Sequence, residues 1–490
     1  MLPLIYSITS LFSNFLDVEQ PPLSHSLNVR ETIDTEKLQS LLTQEALEEW
    51  SHRVYEAANA SVETVGHPTR VIGTAGHNAS IDLILDTLDE LKDYFTYELQ
   101  PFCAVDYKLH NYTLVSDGEV LNAVPFKFSP AGNVSNAEVY FVKGNGCLPS
   151  DYEGTAGKIA VVTRGRCPFG EKSEIAGLSG AVGCLIWDPE IDNSKDVLTG
   201  GTLISPPLGH EVPTFGISAN LAKSLNEGDK LSFYVNSTLK VVETVNIVAE
   251  TIEGDHDNVV FAGAHSDSVY EGPGMNDNGS GMISLLEIAK QLSNFKPNNA
   301  IRLAWWSAEE EGLVGSLWYA NNLTKEQASK IRLFLDFDMM ASTNYIYEIY
   351  NSDDSVNPKG STAIRDMFID WYDKHDHPFL LQPFDGRSDY VGFVNIGIPS
   401  GGMDSGVELI KSEAEALLFG GTAGIPYDPC YHQACDDLDN VSFEPWLVNT
   451  KVMAHSIATY AESLEGFPKP DMSYFESRQP QLLYWVSSYI

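Results

Sequence analysis

The chain has 490 residues, 43% of them hydrophobic and 11% aromatic, enough for one large core plus a smaller domain and too apolar for a disordered chain. Its 68 Asp and Glu against 30 Lys and Arg give a formal charge of -38, which repels phosphate backbones and anionic lipid and argues against nucleic acid as a partner. The same field attracts cations, whether metal ions or the ammonium group of a peptide N-terminus.

Residues 1–16 include the apolar run LPLIYSITSLFSNFL and read as a signal peptide, although no Lys or Arg precedes the run. Residues 17–40 are polar, contain a Pro-Pro pair, and read as a propeptide or flexible arm. No later stretch reaches the roughly 18 uninterrupted apolar residues of a membrane span, so the mature protein is expected to be soluble; a monomer is the separate expectation. From about Glu36 to Gln100 apolar residues recur at helical spacing, as in IDLILDTLDELKDYF.

Between about 120 and 240 the pattern changes to short β-rich runs broken by Gly and Pro: GKIAVVTRG, AVGCLIWD, VPTFGIS and KLSFYVNS. The expected organisation is therefore a discontinuous main domain over 41–118 and 241–468, an inserted domain over 119–240, and a tail over 469–490. Cys147 and Cys167 lie in one segment, Cys430 and Cys435 close a small loop around His432, and both pairs read as disulfides; Cys184 reads as a buried thiol. Sequons for N-glycosylation occur at Asn59, Asn78, Asn111, Asn133, Asn236, Asn278, Asn322 and Asn440.

After Val245 strands and helices alternate. VVFAGA (259–264), AIRLAWW (300–306) and IRLFLDF (331–337) are apolar runs of the kind found in buried parallel strands; GMISLLEIAKQL, SLWYANNL and TKEQASKI are helical. The expected fold is α/β, with a mixed, largely parallel sheet flanked by helices. In such sheets sites form beyond the carboxyl ends of the strands. His265 follows the first strand directly, Glu309-Glu310-Glu311 follows the second, and Asp338 ends the third, so three ligand-type groups converge on one edge.

AHSDSVYEGPGMNDNGSG places His265 and Asp277 on either side of a glycine-rich turn, suited either to one metal or to a loop His with an Asp capping the next helix. The run SAEEEG puts three acids after Trp305-Trp306; an apolar strand feeding them argues for neutralisation by cations over a solvated turn. FLDFDMM adds Asp336 and Asp338 in an apolar segment, where buried carboxylates need a metal, a base or several hydrogen bonds.

Four motifs in order, AHSDSVYEGPGMNDNGSG, RLAWWSAEEEGLVGS, DFDMMAS and CYHQACD, with FDGRSDYVGF as a fifth, resemble those of the co-catalytic zinc aminopeptidases, and the likeness spans about Glu36 to Pro468. The inserted segment resembles a protease-associated domain. The resemblance implies a zinc exopeptidase fold and two Zn²⁺ per chain, with His265 and Asp338 on one ion, Glu310 and His432 on the other, and Asp277 bridging. It also implies Glu309 as catalytic base, Tyr431 as the phenol stabilising the oxyanion, Arg387 as a substrate contact, Asp267 orienting His265, and a cis peptide after Asp277. Arg387 has a rival reading as a surface residue paired with Asp385 or Asp389.

The implied substrates are peptides with a free N-terminus, large apolar first residues preferred, handled by a secreted or vacuolar enzyme. A carboxypeptidase or glutaminyl cyclase on the same fold is the alternative, since fold and ligands alone do not fix the reaction. A receptor-like relative without catalysis predicts broken ligands, and here the five ligands and the base are all present.

Overall fold

The computed structural model describes residues 30–189, 197–203 and 209–477. The expected signal segment and residues 17–29 lie outside these. At its centre the strands Glu348–Tyr350, Ser400–Asp404, Ile331–Phe337, Asp255–His265, Asn299–Trp306 and Lys230–Thr251 stand side by side in that order. Asp255–His265 runs parallel to both neighbours, with Ala262 opposite Leu303 on one side and Leu335 on the other.

Both faces of these strands are apolar because both are covered. Val260, Ala262, Leu303, Trp305, Leu333 and Leu335 point to one core, shared with the helices Gly279–Leu292 and Phe443–Glu462. Their alternates Phe261, Ala304, Trp306 and Phe334 point to a second core, completed by Tyr319 and Phe393. Phe334 and Phe393 stack there with ring centroids 3.8 Å apart.

Two features depart from the sequence-based expectation. Residues from Arg30 onward are part of the fold and not an arm: Glu31–Thr32 pairs with Phe295–Lys296, Asp34 caps the helix Thr35–Ser40, and Ile33 and Leu38 are buried. The helix expected through Phe95 ends earlier, as Ala75–Glu90, and Phe95 begins a strand. The tail contributes a short helix, Met472–Ser477, and residues 478–490 lie outside the described residues.

That strand, Phe95–Ser116, forms an antiparallel ribbon with Lys230–Thr251 from Phe95↔Thr251 to Ser116↔Leu231. One end of the ribbon pairs with Asn299–Trp306, the other with Gly132–Phe141 of the inserted domain. The two domains therefore share one continuous sheet. The inserted domain has its own core around Leu185, Phe215 and Phe233, and the disulfide Cys147–Cys167 pins its surface loops. Cys184 is a buried free thiol, and Cys103 is a half-buried one on the ribbon.

Candidate active site

The carboxyl ends of three parallel strands bring Glu309, Glu310 and Asp338 to the wall of one cleft of about 1020 Å³, with His265 buried against them. His265 ends its strand, Glu309 and Glu310 follow Trp306, and Asp338 follows Phe337. Asp277 precedes the Gly279–Leu292 helix across the cis peptide Asp277–Asn278. His432 enters from the loop closed by Cys430–Cys435, five residues apart.

These side chains form two groups that share Asp277: His265, Asp277 and Asp338, and Asp277, Glu310 and His432. His265 Nε2 lies 3.3 Å from Asp277 Oδ1 and 3.4 Å from Asp338 Oδ1. His432 Nε2 lies 3.0 Å from Asp277 Oδ2 and 3.1 Å from Glu310 Oε2. Glu309 holds neither group's centre; its Oε2 is 3.8 Å from His265 Nε2, on the cleft wall.

The residues fit a metal on the structure's own terms. Both nitrogens of His265, Glu310 Oε1 and Asp338 Oδ1 are buried without a hydrogen bond, an arrangement that protein groups alone leave costly. Burial opposes charge on His432, but Glu310 and Asp277 outweigh it and raise its pKa to about 10. Burial raises Asp277 in turn, yet its contacts with His265 and His432 hold it well below the carboxylate range. The cluster therefore binds positive charge strongly, and a mixed imidazole and carboxylate donor set suits zinc.

The supports are backbone clamps. Asp267 sits 3.6 Å from His265 Nδ1 and accepts the amides of Glu309 and Glu310 at 3.2 and 3.3 Å, so one carboxylate orients the imidazole and holds the acidic turn. Asp436 accepts the amides of Asn276 and Asp277 at 2.9 and 3.0 Å. Arg70, fully buried, donates to the carbonyls of Ser266, Pro273 and Gly274 and fixes the loop between His265 and Asp277. Gly281 has no room for a Cβ, which would lie 2.4 Å from the Phe337 carbonyl.

Tyr431 stacks on His432 with centroids 3.8 Å apart and lines the cleft. Arg387 also lines it, and its guanidinium grips Glu408 at 2.8 and 3.2 Å, not the Asp385 or Asp389 of its rival reading. Asp389 instead turns inward, 1% exposed, with no hydrogen bond to either oxygen, while Ser388 donates to Asp338. Arg70, Asp389 and Asp436 were missed as site residues. Asp389 and Asp436 stand inside motifs already singled out, whereas the segment around Arg70 carries no signal.

Residues 246–457 match Peptidase family M28 and residues 134–225 match the PA domain. Aminopeptidase Y of Saccharomyces cerevisiae is 44% identical over 474 residues, covering 92% of this chain and 86% of that one. The chain belongs to peptidase family M28. Leucine aminopeptidase 2 of Arthroderma otae is 40% identical, covering 82% of each chain. Among solved structures, the aminopeptidase of Aneurinibacillus sp. strain AM-1 has the same fold, with a TM-score of 0.68 at 23% identity over 90% of this chain and 98% of that one. A zinc aminopeptidase from Bacillus subtilis aligns with a TM-score of 0.57 at 22% identity, over 84% and 95%. The M28 chain is thus a peptide-bond hydrolase with a PA domain inserted before its catalytic motifs.

Proposed function

We propose that this M28 peptidase is a two-zinc aminopeptidase, His265 and Asp338 holding one ion, Glu310 and His432 the other, and Asp277 both. The observation that carries the reading is Asp277, whose two oxygens face the two histidines at 3.3 and 3.0 Å. When bound, zinc supplies Lewis acidity that polarises the scissile carbonyl and acidifies water.

Glu309, on the cleft wall, takes a proton from the attacking water and returns it to the leaving amine. Burial and then the nearby acids Asp389, Glu310 and Asp338 raise its pKa against the pull of His265. Tyr431 supplies a hydroxyl to the developing oxyanion, and Arg387 a cationic contact at the rim. The acidic wall receives the α-ammonium group of a free N-terminus, and Met339, Tyr350 and Val407 offer apolar surface to a large first side chain.

The names of the curated relatives support aminopeptidase over carboxypeptidase or cyclase chemistry. A secreted or vacuolar location is supported by the two disulfides and by six sequons whose asparagines are exposed, Asn59, Asn78, Asn111, Asn133, Asn236 and Asn322. Asn278 and Asn440 are buried and unsuited to glycans. No helix among the described residues is long and apolar enough to cross a membrane.

The test incubates the protein with aminoacyl-nitroanilides, N-acetylated peptides and peptides with N-terminal Gln, with and without a chelator. Chelator-sensitive release from free N-termini alone is expected; cleavage of blocked peptides, cyclisation of Gln, or indifference to the chelator overturns the reading.

A further inference from the structure

Lys127 of the inserted domain reaches the turn that carries Glu310. Lys127 donates from Nζ to the backbone carbonyl of Glu310 and lies 3.8 Å from Glu311 Oε1. The Glu310 amide is already held by Asp267, so the peptide units on both sides of this ligand are tied, one from within the peptidase domain and one from the insert. The turn closes on itself through the amides of Gly312 and Leu313 to the Glu309 carbonyl, both at 2.7 Å, but at a conformational cost: Ala308, Gly312 and Leu313 all adopt positive φ, at 61°, 106° and 60°.

The position of Lys127 is set by the insert. Its amide donates to Gly201 and its carbonyl accepts from Leu203, each at 3.0 Å. Its neighbours Phe126 and Phe128 are buried in a core of the inserted domain. Glu311, 4% exposed, has one oxygen without any hydrogen bond, so the lysine also neutralises a carboxylate that burial otherwise disfavours.

We propose that Lys127 is a positioning residue for the ligand Glu310, through which the inserted domain is required for metal retention and turnover at the site. The inference rests on the zinc reading above. It separates two roles for the lysine: a counter-ion for Glu311, or a donor that fixes the Glu310 main chain. Removing Lys127 alone strands the Glu311 charge, whereas removing both charges leaves only the loss of the donor.

The experiment compares wild type, Lys127→Met, Lys127→Arg and the double variant Lys127→Met/Glu311→Gln in the full-length protein. It measures zinc retention against a competing chelator, kcat and KM on an aminoacyl-nitroanilide, and melting in excess zinc. Lys127→Met should lose about 10- to 100-fold in zinc affinity or kcat, the range for residues that orient metal ligands, with KM little changed. The double variant, which carries no stranded charge, should melt like wild type and keep the defect; Lys127→Arg should recover most of it. Wild-type zinc retention and kcat in Lys127→Met, a loss confined to KM, or recovery in the double variant overturns the proposal. A wild-type protein that binds no zinc overturns the functional reading and this inference together, whereas bound zinc with an unaffected Lys127→Met overturns this inference alone.

Discussion

Glu309 and Glu310 are adjacent acids with different surroundings. Glu310 reaches His432 at 3.1 Å and is tied at both ends of its backbone, while Glu309 lies 3.8 Å from His265 and faces the cleft. A carboxylate that completes a donor group and one that stands beside it should respond differently to loss of charge. Glu309→Gln is expected to keep the zinc content of wild type and to lower kcat by about 10²- to 10⁴-fold, the usual contribution of a general base. Metal analysis of the purified variant beside its turnover decides the assignment: loss of zinc in Glu309→Gln would make Glu309 a ligand instead.

Among the elements, the loop carrying His432 is held differently from the strand ends. Its ring closes between Cys430 and Cys435, a separation of five residues, and a loop that short stabilises a fold by only about 2 kcal/mol in the chain-entropy account. The loop brings one histidine, half-exposed, within 3.0 Å of Asp277 and 3.1 Å of Glu310. The variant Cys430→Ser/Cys435→Ser should therefore lose metal affinity and activity out of proportion to stability, read by chelator titration beside urea denaturation. Equal losses in both would mean that the disulfide serves the fold and not the site. The strand-end positions of His265 and Asp338 were legible in the sequence because a continuous apolar run ending in His or Asp marks both a parallel strand and its carboxyl end. The Phe95–Ser116 partner of the long ribbon was not, because residues 96–99 and 110–112 are exposed on it and break the period-2 alternation that marks a strand. Arg70 and Lys127 were illegible for a related reason: each acts on a backbone 183 to 204 positions away, a relation that no local pattern records, whereas Asp436 stands inside a motif that gives no sign of the amides it accepts.

At the scale of the whole molecule, the balance of acids over bases leaves carboxylates buried beyond the candidate metal ligands, and their protons set how stability depends on pH. Glu348 and Asp404 face each other across antiparallel strands, 7% and 4% exposed. Burial first, then the Asp404 charge, raises the Glu348 pKa to about 10, so that Glu348 carries the proton and Asp404 the charge. The unfolded chain releases that proton near pH 4.3. Because the folded value is the higher one, the stability contributed by this proton is fully present below about pH 4.3 and declines as the pH climbs toward 10. Glu348→Gln keeps a neutral donor for Asp404 without a proton to lose. It should equal wild type near pH 4 and exceed it increasingly above, by up to about 1.4 kcal/mol for each pH unit. Urea denaturation of both proteins at pH 5, 7 and 9 gives the slope directly. A constant difference across that range would mean that Glu348 is ionised in the folded protein and that the pair is held by something other than a shared proton.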